Sequence, residues 1–211
     1  MATRVFQFGA GLAMAVAMTL PAVAGPPLIC HSFEINGAKS LPWSGGADWR
    51  GVDKNYDLSR LTADTLALLQ PETPVLVRME TLRRATVYAV WGKTEGRFGT
   101  PVKGSRLAED LLAKVMARAK ESPAALFDAG YLMASLQQAS YESSTVDAVA
   151  AYEMVRKAAE TARSAEMEFA AALMTSGVPR SGHDEHLRRA RAGADGDSLL
   201  AKNLSTHISP R

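Results

Sequence analysis

From residue 57 to the C-terminus apolar side chains recur every three to four positions, whereas residues 25–56 show no such period. A repeat near 3.6 residues marks helices that bury one face, so the longer part is predicted all-α and the shorter an extended, loop-rich arm. Leu58, Leu61, Thr65 and Leu68 form the first stripe, with Asp57 placed to cap it and Pro71 to stop it. Thr73-Pro74 opens a second helix, with Val75, Met79, Leu82 and Ala89 on one face and Gly92 at its end. There the threonine hydroxyl is expected to accept from free amides, and proline loses nothing by lacking an N–H. Gly92 to Gly104 holds four glycines and Pro101 and reads as the main internal loop.

A third helix starts at Ser105, with Leu107, Leu111, Val115 and Ala119 in one stripe and Leu112 and Met116 beside it. Ser122-Pro123 begins a fourth, whose inner face carries Leu126, Phe127, Gly130, Tyr131 and Ala134. Ser144 to about Arg163, with inner residues Val149, Tyr152, Val155 and Ala159, pairs with Ser164 to Ser176. Ser181 to Ala192, with a capping-box spacing to Asp184, pairs with a last helix over roughly Asp195 to Asn203. Helices joined by one or two residues fold back to bury their stripes. The expected architecture is therefore stacked antiparallel helical hairpins, an irregular α-solenoid or bundle, over residues 57–211.

Residues 1–24 read differently. Arg4 precedes an apolar run to Leu20, Pro21 breaks it, and Ala22-Val23-Ala24 supplies the small residues of a secretory cleavage site before Gly25. The run is short for a membrane span and no basic stop-transfer cluster follows, so the mature protein is expected without an integral membrane segment, in the periplasm or outside the cell. The 211 residues are 47% hydrophobic and 22% charged, which excludes a disordered or collagen-like chain. Lys plus Arg number 24 against 22 Asp plus Glu, and Arg4 is the only charge in residues 1–24, leaving +1 after cleavage. Electrostatics offers no reason for a nucleic-acid partner.

Cys30 is the only cysteine, and Ile29 before it does not fit a lipidation site. In an oxidising compartment it is a buried thiol, the link of a homodimer or a reactive nucleophile. Leu28, Ile29 and Phe33 around it favour packing. Phe33 and Ile35 flanking Glu34 suggest a short strand. Cys30, His31, Glu34, Lys39, Trp43 and Trp49 gather polar and aromatic groups in the arm and are its candidate binding residues. The competing reading is that the tryptophans pin the arm to the helices.

Elsewhere catalytic signatures are missing: no Gly-x-Ser-x-Gly, His-Glu-x-x-His or Cys-x-x-Cys occurs, and Gly92-Lys93-Thr94 has Val87 where a phosphate loop needs glycine. No cofactor or metal is expected. His183 and His186 have no evident third ligand and read as a polar first turn. Arg83-Arg84 and Arg188-Arg189 read as solvated helix faces.

A weak repeat at an offset of 41 lays Ala124–Ser135 over Ala165–Ser176 with five identities, and Leu82-Arg83-Arg84-Ala85 is echoed by Val155-Arg156-Lys157-Ala158 and Leu187-Arg188-Arg189-Ala190. The segment from Ala165 through Gly177, with Leu187 to Ala190, Gly193 and Leu200-Ala201, resembles a Sel1-like or tetratricopeptide-type helical repeat. Cys30-His31, Phe33-Glu34-Ile35 and Ala38 to Trp43 are similar to a group of exported bacterial helical proteins of unknown function, of the acidobacterial type. The repeat resemblance implies a scaffold that binds a protein or peptide in the cell envelope. Two other readings stay open: a self-associating protein linked through Cys30, and an enzyme with Cys30 or His31 as nucleophile or base and Glu34 as orienter.

Overall fold

The computed structural model describes residues 26–45, 51–92, 105–141, 146–177 and 182–208. Within them the protein is all-α. A 3-10 turn at Leu58–Arg60 leads into α1 (Leu61–Leu68), followed by α2 (Val75–Trp91), α3 (Arg106–Ala117), α4 (Pro123–Gln138), α5 (Ala148–Ala162), α6 (Ala165–Met174), α7 (His183–Ala192) and α8 (Leu199–His207). The proposed signal segment, Trp49, Ser144 and Ser181 lie outside the described residues.

Helices α2, α4 and α6 touch one another at the centre, with α1 and α3 packed on α2, α5 along α4 and α6, and α7 on α6. The contact of α2 with α6 closes the hairpins onto each other, which a linear stack with neighbour-only contacts does not do. Burial follows this layout. In α2 every residue from Leu76 to Val90 except Arg84 is buried, and in α4 the run Phe127–Leu136 is buried without a break. Such helices have no solvent face, so their buried polar residues cannot be told from surface ones by periodicity alone. On α4, Gly130 sets the distance to α5: a Cβ there would lie 2.7 Å from the Ala151 carbonyl oxygen and 2.8 Å from Met154 Cβ.

Several caps match the sequence reading. Asp57 accepts from the Ser59 amide, Ser122 from Ala125 and Ser164 from Met167. Others differ. Thr73 does not cap α2: its hydroxyl donates to the Leu68 carbonyl and accepts from the Gln70 amide, so it closes the preceding turn. Ser105 donates to the Ala89 carbonyl at 2.7 Å and ties the start of α3 to α2 instead of capping its own helix. Helix α5 begins at Ala148, capped by Asp147, later than Ser144. At α7 the N-cap is Gly182, with φ 79°, in place of Ser181. Helix α8 begins at Leu199 behind a Ser198 cap.

Val149 is 72% exposed and is no part of an inner face. The buried stripe of α5 runs through Ala151, Val155, Ala158 and Ala159. Two residues before Ala151 is about 200° around the helix, so Val149 points away from the core. The small alanines carry the contact because they let α5 come close.

Candidate functional site

The arm lies on a polar clasp built by one face of α2. Glu80, Arg83 and Arg84 stand at i, i+3 and i+4, so their side chains meet. Both Glu80 oxygens take a hydrogen bond from Arg83 at 2.8 Å, and Oε1 also takes one from Arg84 Nε at 2.7 Å. The Glu80 and Arg83 side chains are fully buried. A buried ion pair needs its remaining donors and acceptors satisfied, and the arm's backbone does this. The Phe33 N–H donates to Glu80 Oε2 at 3.0 Å, Arg83 donates to the Ile29 carbonyl at 3.1 Å, and Arg84 donates to the Leu41 carbonyl at 2.7 Å. One helix turn on, Tyr88 donates to the Pro42 carbonyl at 2.6 Å and accepts from the Asp53 amide, while Ser40 and Thr81 hydroxyls pair at 3.0 Å. Arg83 and Arg84 therefore do not form the solvated face expected of them; of the two clusters only Arg188 and Arg189 stand in solvent.

A second strut comes from α8. The Asn203 side chain accepts from the Glu34 amide and donates to the Glu34 carbonyl, both at 2.9 Å. Its amide takes the place of the neighbouring strand expected beside Phe33–Ile35: no strand forms there, yet Phe33 and Ile35 are buried and Glu34 is exposed as alternation requires. The Phe33 ring stacks on His207, with centroids 4.7 Å apart.

Between these anchors the chain makes a tight turn. Asn36 and Gly37 have φ of 51° and 71°, and the Ala38 amide donates to the Ile35 carbonyl at 3.0 Å, the geometry of a type I′ turn. Asn36, Gly37, Ala38 and Lys39 are all exposed, whereas Ile35 and Leu41 on either side are buried. The Asn36-Gly37 dipeptide is the sequence signal for this turn.

The candidate residues of the arm fall at different places on this frame. Trp43 is half-buried beneath the guanidinium groups of Arg83 and Arg84, 4.8 and 5.4 Å from its ring centre, which pins that end of the arm. The Glu34 carboxylate accepts from the Asn36 amide at 2.7 Å, and Lys39 is exposed on the turn. His31 sits edge-on to His207 at 5.9 Å. Cys30 is partly exposed although Leu28 and Ile29 beside it are fully buried, because the turn closed by the Ile29 and Cys30 amides on Pro26 carries it toward the surface. Burial pushes its thiol up, with Arg83 opposing.

His183 and His186 do not share a ligand position. His183 Nδ1 bonds the Ala172 carbonyl, and His186 bridges Glu168 and Tyr152. Among the described residues no group of three His, Cys, Asp or Glu side chains is placed to hold a metal ion. A third polar centre joins α2 to α4 through Arg78 and Asp128, paired at 2.6 Å and both buried. No described helix is long and apolar enough to cross a membrane. Comparison with family models, curated proteins and solved structures finds no match to this chain.

Proposed function

We propose that the protein is an exported helical scaffold that binds a protein or peptide partner in the cell envelope through the turn Asn36–Lys39. The observation that carries this reading is the clasp: both flanks of an exposed turn are fixed by charge-assisted hydrogen bonds, buried at Glu80 and Arg83 and half-buried at Arg84. Recognition loops gain affinity when a rigid body holds them in one conformation, because less entropy is lost on binding. The apolar run before Ala24 supports export, and the weak helical repeat supports a scaffold.

A photo-crosslinking residue at Lys39, with a control at the exposed Lys157 of α5, tests this in envelope extract. The expected result is a discrete adduct at Lys39, absent at Lys157 and competed by excess unmodified protein. Equal adducts at both positions, or none at Lys39, rejects the turn as the binding element.

The partial exposure of Cys30 favours a second reading, a disulfide-linked homodimer. Non-reducing electrophoresis of protein from an oxidising compartment should then show a dimer that reductant abolishes, and a monomer alone rejects it.

A further inference from the structure

Where α5, α6 and α7 meet, three side chains form a continuous hydrogen-bonded line. Glu168 Oε2 lies 2.6 Å from His186 Nδ1, and His186 Nε2 lies 2.7 Å from the Tyr152 hydroxyl. The other Glu168 oxygen is held by Arg189 at 3.3 Å, and Arg189 is held in turn by Glu185 at 2.9 Å. Glu168 and His186 are buried and Tyr152 is half-exposed, so the line runs from the interior to the surface. A carboxylate on Nδ1 fixes the tautomer with the proton there, which leaves Nε2 as a base facing the phenol. This is the order orienter, base, nucleophile of an activated hydroxyl.

The geometry points to Tyr152 as a nucleophile for acyl transfer, with His186 as its general base and Glu168 as the positioning residue. Gly182, exposed and without a side chain, flanks the phenol: a Cβ there would stand 3.9 Å from the Tyr152 oxygen, an ordinary contact distance. The substrate class is a carboxylic ester, whose carbonyl carbon an activated hydroxyl attacks.

The step balances without a co-reactant other than water. Tyr152 Oη attacks the carbonyl carbon as its proton passes to His186 Nε2, and Glu168 stabilises the imidazolium. The ester C–O bond then breaks and the leaving alcohol takes the proton from Nε2. Water attacks the aryl ester, gives its proton to Nε2, and the departing phenolate recovers it. Burial pushes the Tyr152 hydroxyl above its ordinary range, so it stays protonated until the base acts, as an activated serine does. A phenolate leaves more readily than an alkoxide, which favours the second half of the cycle. Tyr56 provides an internal comparison: it is also half-buried, but its hydroxyl donates to the carboxylate of Asp64 at 2.9 Å, a far weaker base than imidazole.

The experiment is a brief exposure of the intact mature protein to p-nitrophenyl acetate at neutral pH, quenched in acid before the acetyl group is hydrolysed, with adducts located by peptide mass spectrometry. Tyr152 is expected to acetylate at least about tenfold faster than Tyr56, and His186→Gln to bring it to the rate of Tyr56. Equal rates in the unmodified protein overturn the proposal with no variant needed. So does a Tyr152 preference that survives His186→Gln or Glu168→Gln in a variant whose circular dichroism matches the parent. The crosslinking result at Lys39 is independent of either outcome.

Discussion

The backbone N–H of Phe33 donates to Oε2 of Glu80, 47 residues away, at 3.0 Å inside the protein. The same carboxylate holds Arg83 and Arg84, and those two guanidinium groups hold the carbonyls of Ile29 and Leu41. One acid therefore fixes the arm on both sides of its exposed turn, and its removal is felt at every one of these contacts.

Replacing Glu80 by Ala is expected to destabilise the protein by about 3–5 kcal/mol, since Arg83 would keep its buried charge without a counter-ion. Glu80→Gln retains an acceptor for Phe33 and should cost less. Urea unfolding of both variants checks this, and a loss under about 1 kcal/mol for the alanine variant contradicts it.

Gly130→Ala improves helix propensity by about 1 kcal/mol but forces a methyl group against Ala151 and Met154. Overpacking should dominate, giving a net loss of about 1–3 kcal/mol by thermal or urea unfolding. A stabilised variant would mean that α5 does not lie this close to α4.

Asp128 is pushed up to about 7 by burial, against the opposing pull of Arg78. Its ordinary value is 3.8, so between these limits the folded protein holds a proton that the unfolded chain releases. Stability from this group is therefore full at low pH and falls as pH rises through that window. Urea midpoints measured from pH 4 to 8 should show the fall in the parent, and Asp128→Asn should flatten it. Parallel curves would rule out Asp128 as the source.

Cys30 should alkylate slowly in the folded state at neutral pH, about tenfold or more below the unfolded chain, because burial pushes its thiol above its ordinary value. Iodoacetamide rates with and without denaturant measure this. Equal rates would contradict the burial of the thiol and raise the reading of Cys30 as a nucleophile.

The helices were largely legible in the sequence because outer helices such as α3 carry a clear apolar stripe through Leu107, Leu111 and Val115. The clasp was not. Arg83 and Arg84 carry the same side chains as Arg188 and Arg189, and each pair follows a glutamate, Glu80 or Glu185, by three and four residues. Periodicity cannot tell which pair another segment covers. That depends on the arm, whose docking rests on long-range bonds such as Glu34 with Asn203. Trp43 as a pin could be anticipated from aromatic burial, whereas its partners could not. By sequence His186 belongs to a polar helix start, and its line to Glu168 and Tyr152 needs three helices brought together.

The arm is a fixed part of the folded body, held through Glu80. Native-state hydrogen exchange of the Phe33 amide measures this. The amide should exchange as slowly as the Val87 amide of α2, and Glu80→Gln should accelerate Phe33 while Val87 stays protected. A Phe33 amide that exchanges in the parent protein as fast as that of the exposed Lys39 would contradict it.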